Sequence, residues 1–243
     1  MKGYLDQIFI SLLFITLVSN AGHPLRTEDG FSLGINSFEI EIVSEFFNYS
    51  DNSEISLPIS FGYGITSSTD ILVGFSYHKY WDDRNNFSSF NDILIELKQM
   101  IFTEDVRFGI KPFISIPSGD EAKGFGKGKL NFGMMILLTK EWEKFHIHTQ
   151  LGYHRNNNVV NENENLWEYS IALEKLFSER FSGLFEFGIA RSCCPDYIEP
   201  PKFISLGASY LLEENLVVSM GILKGIHSVD QHLGLTGGIT ITF

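Results

Sequence analysis

"HLGLTGGITITF" runs from His232 to Phe243 and closes the chain. Leu233, Leu235, Ile239, Ile241 and Phe243 fall on one side of an extended backbone, and Gly234, Thr236, Gly238, Thr240 and Thr242 fall on the other. Side chains alternate across a strand, so this reads as a strand with one greasy face. Chain ends usually fray into solvent. A strand ending on a bare aromatic therefore implies that the end itself is built into a sheet. If that sheet closes on itself, the last strand pairs with the first and no open edge remains.

The same period of two recurs upstream. In "EISLPISFGYGI", Ile55, Leu57, Ile59, Phe61, Tyr63 and Ile65 share a face. In "FHIHTQLGYH", Phe145, Ile147, Leu151 and Tyr153 oppose His146, His148, Gln150, Gly152 and His154. About twelve such segments follow one another, near 37–47, 55–65, 70–81, 90–102, 106–117, 130–139, 145–155, 166–177, 181–191, 202–212, 215–224 and 233–243. Most match the ~9–11 residues that a tilted strand needs to cross a bilayer. Short polar connections at 66–69, 103–105, 140–144, 178–180 and 213–214 alternate strictly with longer ones at 48–54, 82–89, 118–129, 156–165, 192–201 and 225–232. The pattern predicts an all-β fold, a transmembrane antiparallel β-barrel of about 12 strands with short periplasmic turns and longer external loops.

A soluble β-sandwich or lipocalin-like barrel would show the same alternation with its greasy face turned inward. Three features favour the membrane barrel. The polar face carries ionisable groups in several strands: Glu39, Glu41 and Glu45; Glu96 and Lys98; Arg107 and Lys111; Glu168 and Glu174. Aromatics stand near strand ends, at Trp81, Phe102, Tyr153, Trp167, Phe181 and Tyr210, where interfacial girdles belong. The apolar face is almost free of charge, as lipid contact demands.

At the other end, Lys2, the apolar run Ile8–Val18 and the small residues Ser19-Asn20-Ala21 have the order of a secretory signal peptide. The expected organisation is a signal peptide over 1–21, an N-terminal arm over 22–36 and an outer-membrane barrel over 37–243. The arm has no strand pattern and is expected at the periplasmic mouth or folded into the barrel. The formal charge of −12 argues against nucleic acid as a partner. The two cysteines, Cys193 and Cys194, are adjacent, and a bridge between them would close no useful loop.

"HPLRTEDGFSLGINSFEIE" (His23–Glu41), "YGITSSTDILVGFSY" (Tyr63–Tyr77), "FNDILIELKQMIF" (Phe90–Phe102), "GIKPFISIPSGD" (Gly109–Asp120) and the terminal "LGLTGGITITF" occur in that order. In this order they resemble a family of outer-membrane transporters labelled for the MetA pathway of phenol degradation. Its opening Pro-Leu-x-Thr-acid-Asp segment is similar to the stretch around Thr27-Glu28-Asp29. Asn91 stands where the family has Gly, and Ser118 where it has Thr. The resemblance covers nearly the whole mature chain. It implies a transmembrane barrel that passes small molecules, with aromatic compounds among the candidates.

Strand parity assigns Glu39, Glu41, Glu96, Lys98, Arg107, Lys111, His146, His148, His154, Glu168, Glu174 and Glu186 to the lumen. Lys98, Arg107 and Lys111 would either set up a transverse field with Glu96 and other carboxylates or neutralise them as salt bridges. His146, His148 and His154 share one face, and the i, i+2 pair has the spacing of a metal clamp. A polar lining is the preferred reading, since imidazoles suit a wet lumen, and no metal or cofactor is assigned.

No catalytic residue is assigned either. Ser76 and His78 share a strand face but point inward, away from where a lipid hydrolase would act, and there is no Gly-x-Ser-x-Gly elbow. "KGFGKGK" (Lys123–Lys129) lacks the Ser/Thr and helix of a phosphate loop and reads as an external loop that meets anionic groups or folds toward the mouth. Phe243, Ile241 and Ile239 resemble the C-terminal signal read by the barrel-assembly machinery. The expected function is passive passage of small molecules through the bacterial outer membrane, with outer-membrane lipids and a small-molecule solute as partners. The alternatives are a plugged, non-conducting structural or surface-binding barrel and, third, a lipid hydrolase.

Overall fold

The structure is a computed structural model and describes residues 24–49, 52–197, 199–226 and 233–243. The expected signal peptide lies outside the described residues. Among the described residues, thirteen strands form one antiparallel sheet. They are β1 (Phe38–Asn48), β2 (Asn52–Gly64), β3 (Thr69–Asp82), β4 (Asn86–Phe90), β5 (Ile93–Thr103), β6 (Val106–Ile116), β7 (Asn131–Trp142), β8 (Phe145–Arg155), β9 (Asn165–Leu176), β10 (Phe181–Ala190), β11 (Lys202–Glu213), β12 (Leu216–Gly225) and β13 (Leu233–Thr242).

The sheet closes. β13 pairs with β1 from Glu39↔Thr242 to Asn48↔Leu233, and Phe243 N–H donates to Phe38 O at 2.7 Å. The aromatic end is thus part of the seam. β4 and β5 lie one above the other along the same edge of β3, at Tyr77–Trp81 and Thr69–Gly74 respectively, so they occupy a single place in the wall. The barrel is therefore twelve-stranded.

Burial is inverted relative to a soluble domain. Ile42, Leu57, Val73, Leu97, Ile114, Ile136, Leu151, Ile171, Phe185, Leu206, Ile222 and Leu235 are exposed on the outer face. Ser60, Glu41, Glu96, Lys111, Gln150, Glu186 and Ser205 are buried inside. In water such an outside would be a large unmet hydrophobic surface; in lipid it is the required one. Phe102, Tyr153, Trp167, Phe181 and Tyr210 are exposed near strand ends, as girdle residues are. A register shift between Met100 and Phe102 turns both Ile101 and Phe102 outward at the end of β5. Beyond such a bulge, simple parity fails.

The strict alternation of long and short connections does not hold at the start of the chain. Pairing continues through Asn48↔Ser53 and Trp81↔Asn86, so the β1–β2 and β3–β4 connections are tight. Apart from Trp81, the residues that pair there, Asn48, Asn52, Ser53, Asp82 and Asn86, are polar and leave no alternation to read. The connections 117–130, 156–164 and 191–201 are long.

The arm meets the wall at the short-turn end. Asn36 N–H donates to Gly64 O and Gly64 N–H to Ser37 O, at 2.8 and 2.9 Å. A Cβ at Gly64 would stand 1.7 Å from Gly34 O, so only glycine lets the arm lie this close to β2.

Candidate functional site

Residues 24–33 cross the lumen. The arm has no ladder partner, so its backbone donors must find acceptors on the wall. Arg26 and Thr27 N–H donate to the Glu186 carboxylate on β10, at 3.1 and 2.6 Å to Oε1. Glu28 N–H donates to Gln150 Oε1 on β8, at 2.9 Å. Gly30 N–H donates to Thr139 Oγ1 on β7, at 2.9 Å. Leu33 N–H donates to the Asp70 carboxylate on β3, at 3.2 Å. Leu25 packs on Ala172 and Leu184.

The arm also supplies charge. Glu28 Oε1 lies 2.8 Å from Lys98 Nζ and Oε2 lies 2.7 Å from Lys111 Nζ. Lys98 reaches Asp29 as well, at 2.9 Å, and Lys111 reaches Glu96 at 2.9 Å. Burial alone would raise the Glu28 carboxyl, but the ammonium groups of Lys111 and Lys98 and their hydrogen bonds hold it down at about 2. Glu28 and Asp29 belong to the stretch of the arm left without a role in the sequence reading. A signal was present: β5 and β6 carry Lys98, Arg107 and Lys111 against only Glu96 on the same strands, an excess of buried cations that calls for anions from elsewhere.

The residues assigned to the lumen by parity fall into separate groups. Glu96, Lys98 and Lys111 meet the arm, and Glu186 caps its backbone. Glu168 accepts from Gln150 Nε2 at 2.7 Å. Arg107 Nε donates to Glu141 Oε2 at 2.7 Å, and its guanidinium stacks 4.7 Å from the centroid of Phe31. His146 and His148 gather with Glu174. His154 stands apart, against the ring of Phe113 near the long-loop end. Glu39 and Glu41 face a cavity. Of the C-terminal residues, Ile239 and Phe243 are exposed on the outer face.

The cavity has a volume of about 300 Å³ and lies between the arm and β1, β3, β5 and β13. Its lining mixes the charged side chains of Glu28, Asp29, Glu39, Glu41, Asp70 and Lys98 with the apolar ones of Phe31, Leu33 and Leu72. The volume is at the low end for small-molecule sites, and the lining is more polar than most of them.

The long-loop end is drawn inward. The strand break at Asn91-Asp92 places the Asp92 carboxylate to accept Ser118, Gly119 and Lys127 N–H at 3.1, 2.9 and 3.0 Å. Phe125 is thereby buried, with its ring 6.1 Å from that of His78. Of the two expected dispositions of Lys123–Lys129, the loop adopts the one folded toward the mouth. Lys127 Nζ pairs with Glu162 at 2.8 Å, which packs the polar 156–164 connection onto it. Asn163 N–H donates to Cys193 O. Cys193 and Cys194 are buried, and that burial, with Glu162 nearby, pushes the Cys193 thiol up to about 12.

Ser76 and His78 are fully buried inside, and His78 Nδ1 lies 2.7 Å from Glu54 Oε1. Ser76 Oγ and His78 Nε2 have no hydrogen-bond partner among the described residues, so the two are not joined as nucleophile and base.

Residues 19–243 match the sequence profile of the family described as "Putative MetA-pathway of phenol degradation". No curated protein matches the sequence. Among solved structures, the fold is similar to the COG4313 outer membrane channel from Pseudomonas putida F1, with a TM-score of 0.74 at 9% identity, over 88% of this chain and 98% of that one. It is also similar to the NanC porin (TM-score 0.57, 9% identity, 84% and 98% covered) and to the KdgM porin in complex with disordered oligogalacturonate (0.55, 10%, 85% and 99%).

Proposed function

This chain belongs to the family described for the MetA pathway of phenol degradation, and on that footing we propose that it is an outer-membrane channel through which small molecules pass down their gradients. The observation that carries the reading is the cavity beside the arm: the arm narrows the lumen without filling it. The lining, five carboxyl groups and one ammonium beside Phe31, Leu33 and Leu72, suits small amphipathic solutes, neutral aromatic compounds among them, better than bulky ones. The similar solved barrels include an outer membrane channel and two porins, which agrees with this. The chain would reach the outer membrane as an exported protein, with the C-terminal strand read by the barrel-assembly machinery and the exposed apolar belt held by lipid. No enzymatic role is assigned.

Liposome swelling tests the reading. Vesicles carrying the refolded protein should swell in small neutral aromatic compounds and amino acids and should resist tetrasaccharides. No swelling in any solute would mean that arm and loops seal the bore, and the protein would then be a structural barrel.

A further inference from the structure

β8 and β9 meet with His146 directly opposite Glu174 and His148 two residues further along the same inward face. Glu174 Oε2 lies 3.1 Å from His146 Nδ1 and 3.6 Å from His148 Nε2. One donor atom from each of the three residues lies within 4.8 Å of the other two. Donors bound at ~2.0–2.2 Å to one tetrahedral ion stand roughly 3.3 Å apart, so the spacing needs only small adjustment.

The surroundings hold His148 in place. Its Nδ1 lies 2.9 Å from Thr139 Oγ1, which also accepts the Gly30 N–H of the arm. In the tautomer with the proton on Nδ1, that contact leaves the Nε2 lone pair facing Glu174, the arrangement in which metal-binding imidazoles are held. Phe31 covers the pair, its ring 6.1 and 6.4 Å from those of His146 and His148. Arg107, whose guanidinium lies over the Phe31 ring, is paired with Glu141. The side chains of His146 and Glu174 are 15% and 19% exposed and that of His148 is 4% exposed, so the group is walled but reachable from the short-turn mouth.

We propose that His146, His148 and Glu174 bind one divalent transition-metal ion of the Zn²⁺ class in the lumen wall. Two imidazoles and one carboxylate suit Zn²⁺ or Cu²⁺ rather than Mg²⁺ or Ca²⁺, which take oxygen donors. The ion would fasten β8 to β9 beneath the arm, and its remaining positions would be open to water or to a donor group on a passing solute. This goes beyond passage of solutes and does not depend on it.

The test is calorimetric titration of Zn²⁺ into untagged, folded protein in detergent, with Co²⁺ as a spectroscopic probe. One Zn²⁺ per chain is expected, with visible Co²⁺ bands of a low-coordinate nitrogen and oxygen site. His148→Ala and the near-isosteric Glu174→Gln should each weaken Zn²⁺ at least tenfold while retaining the heat-modifiable gel mobility of a folded barrel. A Cys193→Ser, Cys194→Ser double variant should bind as the parent does. Failure of the folded parent to take up Zn²⁺, affinity equal to the parent's in Glu174→Gln or His148→Ala, or loss of binding with the cysteines would overturn the proposal.

Discussion

Lys111 has no exposed side-chain surface and stands between two carboxylates, Glu28 from the arm and Glu96 from the wall. Removing one member of a buried ion cluster leaves the others uncompensated, at a cost of about 3–5 kcal/mol. Lys111→Met should therefore destabilise the arm-docked barrel by that order, read as a lower denaturant midpoint in lipid vesicles. The pH dependence follows from Glu28. Its carboxyl is held near 2, against an ordinary value of 4.5, so its contribution is fully present above about 4.5 and is lost as pH falls toward 2. Trypsin cleavage after Arg26 cannot be followed at such pH, but pepsin can. The arm should resist pepsin at pH 4.5 and become cleavable near pH 2, while Glu28→Gln should already be cleavable at pH 4.5. At this scale the sequence showed half of the cluster. Parity put Lys98 and Lys111 inside, but Glu28 lies in a stretch with no period, and nothing local says which wall an aperiodic segment will touch.

Among the elements, β8 shows both environments most clearly, with Leu151 outward between Ile136 and Tyr169 and Gln150 inward holding the arm. A charge on the lipid face near the bilayer middle costs about 2–4 kcal/mol. Leu151→Arg should show a loss of that size in vesicle unfolding, and a stability equal to the parent's would place this face elsewhere than in lipid. The Asn91-Asp92 break is the other informative element. Asp92 accepts three loop N–H groups, so Asp92→Ala should release residues 118–130 and raise their amide hydrogen exchange by more than tenfold while the barrel strands stay protected. Alternation located the strands because each must separate lipid from water along its length. The hairpin ends at Asn48–Ser53 and Trp81–Asn86 lie beyond that constraint, and their pairing left no trace in the pattern.

At the scale of the whole molecule, closure was legible in the terminal strand. Leu233–Thr242 has one lipid-compatible face and needs a partner along its full length, and β1 supplies it. The filling of the lumen was not legible, because it depends on tertiary contacts between an aperiodic arm and at least seven different strands. The resulting molecule is a greasy cylinder whose bore is narrowed by its own N-terminal segment. The most direct test is single-channel conductance in a planar bilayer, comparing the full chain with one lacking residues 24–33. The account predicts small, reproducible steps from the full chain and severalfold larger ones from the shortened chain. Equal steps from both, or silence from both, would contradict it.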